Sequence, residues 1–269
     1  MSKKFDLDKY YTPDDVVEHV VGVVKDVVGV EWDYVIEPSA GGGAFINHIN
    51  NAFKGSKVFL DLLPTTEGVL QQDYLQYTPP EGKCLVIGNP PFGTRNTLSV
   101  KFFKKSLYAD VIAFILPISQ LNNTQQMYEF DLIHSEDLGV VNFYNQDGDV
   151  RGVPCCFNIY KKPDNGVLNK KKKYKFKEVD VFDYRKSLHK DNIIADNTLS
   201  ICKWGSSVGK VCKPKTFAQE LHFYSDDNNI LEFVKSFDWD SVCSMTATPA
   251  LYKWQVYEVL LKHFDLTEC

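Results

Sequence analysis

The chain has 269 residues, enough for one large α/β domain or for a catalytic domain with a modest appendage. Its 44% hydrophobic and 24% charged residues match ordinary soluble globular proteins, with aromatics somewhat high at 13%. A net charge of −5 argues against a protein that coats nucleic acid nonspecifically, because phosphate neutralisation needs clustered Lys and Arg, so any such grip must be local.

The opening residues, with Ser2, Lys3 and Lys4, hold no apolar run of the secretory or transit type, and no stretch is long enough to span a membrane. A cytoplasmic location, or an intracellular one in a host, is expected. The seven cysteines (Cys84, Cys155, Cys156, Cys202, Cys212, Cys243, Cys269) are an odd set without a Cys-x-x-Cys pair, so neither a disulfide framework nor a metal site is expected.

In chain order, Thr12-Pro13 is a good helix start, and Asp14 to Val28 carries Val and His at helical spacing. Four apolar runs then read as buried strands: Tyr34 to Ile36, Lys57 to Leu60, Cys84 to Ile87 and Val111 to Leu116. Strands alternating with helical segments imply βαβ units and a mostly parallel sheet, whose ligands bind beyond the carboxyl ends of the strands. Gly139 to Phe143 and Cys155 to Tyr160, joined through Asp147-Gly148, form an expected antiparallel hairpin closing the sheet edge.

Composition shifts at Pro163-Asp164-Asn165-Gly166, and a soft boundary there divides 1–163 from 164–269. The second part mixes short strand-like runs with one late helix, Trp254 to Phe264, as a small α+β region would. Near its start Lys170, Lys171, Lys172 and Lys173 stand beside Tyr174 and Phe176. They fit phosphate contact and a solvated loop equally well on charge alone.

The residues that carry chemistry follow the strands. Glu37-Pro38-Ser39-Ala40-Gly41-Gly42-Gly43-Ala44-Phe45 comes after the first strand and before a helix, where glycines let a ligand press on the backbone and the helix offers free N–H groups. A nucleotide-like cofactor and a plain turn both suit it. Asp61 ends the second strand, where a carboxylate can accept from two ribose hydroxyls. Asp73 falls at the third crossover and suits either an adenine amino group or a helix cap.

Ile87-Gly88-Asn89-Pro90-Pro91-Phe92 is the most specific segment. Proline restrains both itself and the residue before it, so Asn89 and Pro90 are expected to be extended at the end of a strand. The Asn89 side-chain oxygen and the Pro90 carbonyl can each accept a hydrogen from an exocyclic –NH₂, turning its lone pair out of the ring toward an electrophile. Phe92 offers a face for an extruded base.

With these motifs in this order, residues 9 to 162 resemble the adenine-N6 DNA methyltransferases of the Asn-Pro-Pro-aromatic amino-methyltransferase group. That resemblance implies a Rossmann-like class I methyltransferase sheet, S-adenosylmethionine as cofactor and a nucleic-acid partner, DNA before RNA. It assigns catalysis to Asn89, Pro90, Pro91 and Phe92. Cofactor contacts fall to Tyr11, Thr12 and Pro13, to Glu37, Pro38, Ser39, Ala40, Gly41, Gly43 and Phe45, to Asp61 and Leu62, and to Asp73 and Tyr74. Gly42 departs from the resemblance, since many such proteins have a non-glycine there, and the change is expected to be harmless. Val153 to Lys161 resembles the last strand of the domain in compact members.

Three other activities compete. Cytosine-C5 methylation needs a cysteine nucleophile, but Pro154-Cys155 opens an apolar strand away from the catalytic turn. Glutamine methylation of protein uses a similar turn, usually with Tyr where this chain has Phe92. RNA adenine poses identical chemistry. A catalytically silent binding subunit is the non-enzymatic alternative.

Overall fold

A computed structural model describes residues 10–145, 147–183, 198–213, 220–243 and 250–269. Ser2, Lys3 and Lys4 lie outside them. The chain divides into two compact units, Met1–Lys171 and Lys172–Cys269, so the division falls beyond the composition shift at Pro163 and within the lysine run.

In the first unit α1 spans Asp14–Val28, with Pro13 at its N-cap, Asp14 and Asp15 in the first turn and Lys25 in the last, as the helix dipole favours. Val17, Val20, Val21 and Val24 recur on one face and are all buried, each contributing about 1.5–3 kcal/mol of apolar burial. The strands that follow are β1 (Tyr34–Glu37), β2 (Ser56–Asp61), β3 (Leu70–Gln71), β4 (Cys84–Gly88), β5 (Val111–Pro117), β6 (Asp131–Tyr144) and β7 (Val150–Lys161). Helices α2 (Ile46–Ala52) and α3 (Thr97–Lys105) lie between them in sequence.

The seven strands form one sheet in the order β3-β2-β1-β4-β5-β7-β6. Pairing is parallel from β3 through β5. It is antiparallel at β5–β7 and β6–β7. Every residue of β4 and six of the seven in β5 are buried, as suits central strands covered on both faces.

The expected hairpin is present and closes the sheet edge, with strands longer than the sequence pattern indicated. Its second strand, β7, sits against β5, and β6 forms the edge. Strand β6 begins at Asp131, well before Gly139, because Ser135, Glu136 and Asp137 lie on an edge strand where polar side chains reach water. Two register shifts, between Leu132 and His134 and between Asp137 and Gly139, further obscure its alternation.

The second unit is built on β8 (Val179–Asp183), β9 (Thr198–Cys202), β10 (Val211–Cys212) and β11 (Glu220–Ser225), with α4 (Asn228–Ser236) and α5 (Lys253–His263). Its sheet is antiparallel throughout, in the order β10-β9-β11-β8. One face, with Val179, Val181, Ile201, Leu221 and Phe223, packs with Ile230, Leu231 and Val234 of α4 and Val256, Tyr257, Val259 and Leu260 of α5. Alternation sends Ser200, Cys202, Glu220 and His222 to the other face. No helix among the described residues is long and apolar enough to cross a membrane.

Candidate active site

Three turns meet at the carboxyl edge of the parallel sheet, after β1, β2 and β4. At the end of β4 the Asn89 Nδ2 donates to Thr12 Oγ1 at 3.1 Å, and the Ser39 hydroxyl donates to the Asn89 carbonyl at 3.0 Å. Residues from two distant parts of the sequence therefore hold one asparagine. With its nitrogen engaged, the Asn89 Oδ1 is buried and has no hydrogen-bond partner. Leaving a buried acceptor unpaired costs about 1–3 kcal/mol, and such a group calls for an explanation.

At the end of β1, Glu37 is buried and its Oε2 also has no partner. Burial raises its carboxyl well above the ordinary range, and the nearby Asp61 charge raises it further. At the end of β2, Asp61 accepts from the Gly41 N–H and from the Leu63 N–H, each at 2.8 Å. The glycine loop is thereby tied to the second strand. Thr66 Oγ1 closes the far side by donating to the Gly42 carbonyl at 2.8 Å.

Gly43 has φ +83°, the left-handed region that glycine enters without strain. Gly42 is constrained by space instead: a Cβ there would lie 2.4 Å from Cε1 of Tyr11. Tyr11 is held over the loop by backbone pairing with Tyr144 of β6 and by its ring, 5.7 Å from that of Tyr144. Glycine at position 42 is thus accommodated where a side chain would not be, because the tyrosine occupies the volume a Cβ would need.

The other predicted residues have the following surroundings. Tyr74 is a core residue, 1% exposed, with its hydroxyl against Ser106 at 2.6 Å and Tyr108 at 3.0 Å. Its ring is therefore not a ligand surface. Phe45 and Ala40 are also buried in the core, Pro38 is buried, Pro13 caps α1, and Leu62 is exposed. Asp73 acts as a cap: its Oδ1 accepts from the Leu75 N–H at 2.9 Å and its Oδ2 from Gln76 Nε2 at 3.1 Å. Phe92 is half-buried, packs on the core and meets Phe143 edge-on at 6.3 Å. Pro90 is buried and Pro91 exposed.

Lys170 to Lys173 are exposed, and Lys172 pairs with Glu258 at 2.8 Å. Cys155 lies buried within β7, and burial pushes its thiol up to about 12, which suits an inert strand cysteine and not a nucleophile. Sequence reasoning missed Thr66 and Tyr144. Neither carries a local signal, because each acts through a contact formed only on folding. Open clefts lined by Asp15, His19 and Asp137, and by Ser206, Lys210 and Trp239, contain none of the predicted site residues.

The fold is that of the Rossmann-like class I methyltransferases. A solved structure from Pyrococcus horikoshii, assigned as an RNA methyltransferase, aligns with a TM-score of 0.50 at 16% identity over 60% of this chain and 90% of its own. A Listeria monocytogenes chain assigned as a class I S-adenosylmethionine-dependent methyltransferase gives 0.46 at 13%, over 63% and 66%. The modification subunit of an assigned type I restriction enzyme from Vibrio vulnificus gives 0.44 at 13%, over 67% and 48%. No family model matches the chain.

Proposed function

We propose that the chain transfers a methyl group from S-adenosylmethionine to the exocyclic N6 amino group of adenine in DNA, with the base turned out of the stack. The observation that carries this reading is the buried, unpartnered Asn89 Oδ1 at the end of β4. The residues fit the cofactor: Gly41 would bring a Cβ no closer than 3.9 Å to any neighbour, so there is room over the loop, and Glu37 keeps an unpartnered oxygen at its foot. Bound there, S-adenosylmethionine supplies an electrophilic methyl on a sulfonium.

The chain's own residues do the rest. Asp61, oriented by the Gly41 N–H, presents its carboxylate for a ribose. Thr12 and Ser39 lock Asn89 from both ends, so its Oδ1 is preorganised to accept one hydrogen of the target amine. Acceptance there, together with the Pro90 carbonyl, favours a pyramidal nitrogen with an outward lone pair. The half-buried Phe92 supports the base by stacking.

Labelled S-adenosylmethionine incubated with separate DNA, RNA and protein substrates, followed by nucleoside and amino-acid analysis, tests the proposal. N6-methyladenine in DNA is the expected product. Label confined to RNA, to protein glutamine or to no acceptor would replace the DNA reading by the corresponding alternative.

A further inference from the structure

On the polar face of the second unit's sheet, three neighbouring strands bring together two thiols and a carboxylate. Cys202 ends β9, Cys212 ends β10 and Glu220 opens β11. The ladder sets Glu220 opposite Cys202, while Cys212 pairs with Ser200 and so stands diagonal to Cys202. One ligand atom from each of the three lies within 4.8 Å of the other two, and Cys212 Sγ is 4.0 Å from Glu220 Oε1. We propose that Cys202, Cys212 and Glu220 bind one borderline-soft divalent cation of the zinc class.

The donor set selects that class. Calcium and magnesium take oxygen ligands in larger or octahedral shells, whereas two thiolates and a carboxylate suit zinc. With Zn–S near ~2.3 Å and Zn–O near ~2.0–2.2 Å, tetrahedral geometry separates the donors by about 3.5–3.8 Å, which small side-chain adjustments within the observed spread can reach. A disulfide fits less well. Diagonal partners in an antiparallel pair stand roughly 7–8 Å apart, beyond the usual ~6.8 Å Cα limit, so a shared ion spans what a direct bond does not.

Glu220 is 4% exposed, and a carboxylate buried to that degree beside sulfur is well compensated by a divalent charge. Each thiol releases its proton on coordination, and three protein donors leave the fourth position to water. Strand β10 has only two residues, so an ion joining Cys212 to β9 and β11 would fasten that edge. The absence of a Cys-x-x-Cys pair concealed the arrangement, because its ligands come from three strands instead of one knuckle.

The full chain, purified under reducing conditions without chelator, should hold about one zinc per molecule and, loaded with Co²⁺, show a thiolate-to-metal charge-transfer absorption. Cys202→Ser and Cys212→Ser should each weaken zinc binding by at least the roughly 10–100-fold that outer-shell changes cost, measured against a chromophoric chelator. Glu220→Gln should weaken it while keeping the charge-transfer band, and Cys269→Ser should leave it unchanged. A parent chain that binds zinc no better than the Cys202→Ser/Cys212→Ser double variant, or shows no Co²⁺ charge transfer, would overturn the site. So would a Cys202–Cys212 disulfide that persists under those reducing conditions. The parent measurements stand even where a variant fails to fold.

Discussion

Asn89 is held at its side-chain nitrogen by Thr12 and at its carbonyl by Ser39, leaving one acceptor unpaired. Asn89→Ala should lower kcat by about 10²–10³, the scale of losing one preorganised polar contact at a reacting group, with cofactor Kd within a few-fold of the parent. Asp61→Ala should do the reverse first, raising cofactor Kd by about tenfold or more, as expected for a charge-assisted hydrogen bond worth about 1.5–3 kcal/mol. Equilibrium cofactor binding and single-turnover rates separate the two, and a near-parental rate in Asn89→Ala would refute the amine-activation model. Phe92→Ala should weaken productive base binding by about 1–3 kcal/mol and also lower stability, since the ring packs on the core, whereas Phe92→Tyr should retain most activity. Glu37 gives a pH signature. Burial and then Asp61 raise its carboxyl in the folded chain, so the native state holds a proton that the unfolded chain releases near 4.5. Stability from this group is fully present below that value and is lost as pH rises through the raised native value. Glu37→Gln, which imitates the protonated form, should therefore match the parent in acid and become progressively more stable than it over that window. Denaturant midpoints across a pH series decide this, and a pH-independent difference would contradict it.

At the level of elements, the glycine loop is set by its neighbours on three sides: Asp61 from β2, Thr66 beyond it and Tyr11 from the segment before α1. Gly42→Ala should cost about 1–3 kcal/mol by overpacking against Tyr11. In a Tyr11→Ala background the same substitution should cost at least about 0.5 kcal/mol less, a coupling that denaturant unfolding of the four-member cycle measures. Equal costs in both backgrounds would show that the ring simply swings away. The same scale explains what was readable. Helix α1 and strands β1, β2, β4 and β5 announced themselves through apolar periodicity because each buries a face or both faces. The first half of β6 and the two-residue β3 did not, since polar edge residues and very short pairings leave no pattern along the chain.

Across the whole molecule, a net charge of −5 repels phosphate except where cations cluster. Replacing Lys170 to Lys173 with Ser should flatten the salt dependence of duplex-DNA binding by up to ~0.9 log unit per lost phosphate contact without changing which base is methylated. Lys172 already pairs with Glu258, though an exposed ion pair of this kind is worth only about 0–1 kcal/mol and yields readily to phosphate. An unchanged slope would leave the run a solvated segment. The order of motifs, the parallel sheet and the Asn-Pro-Pro-Phe turn were legible in the sequence because local rules write them: periodic burial, proline's restricted backbone and glycine before a helix. Tertiary structure alone decided that Asp73 caps a turn, that Tyr74 belongs to the core and that Tyr11 fills the space above Gly42. It also decided that Cys202, Cys212 and Glu220 converge. Apart from the Asp73 cap, a local contact that the sequence already offers as one of two readings, those outcomes depend on which distant side chains share a volume, and no spacing along the chain encodes that.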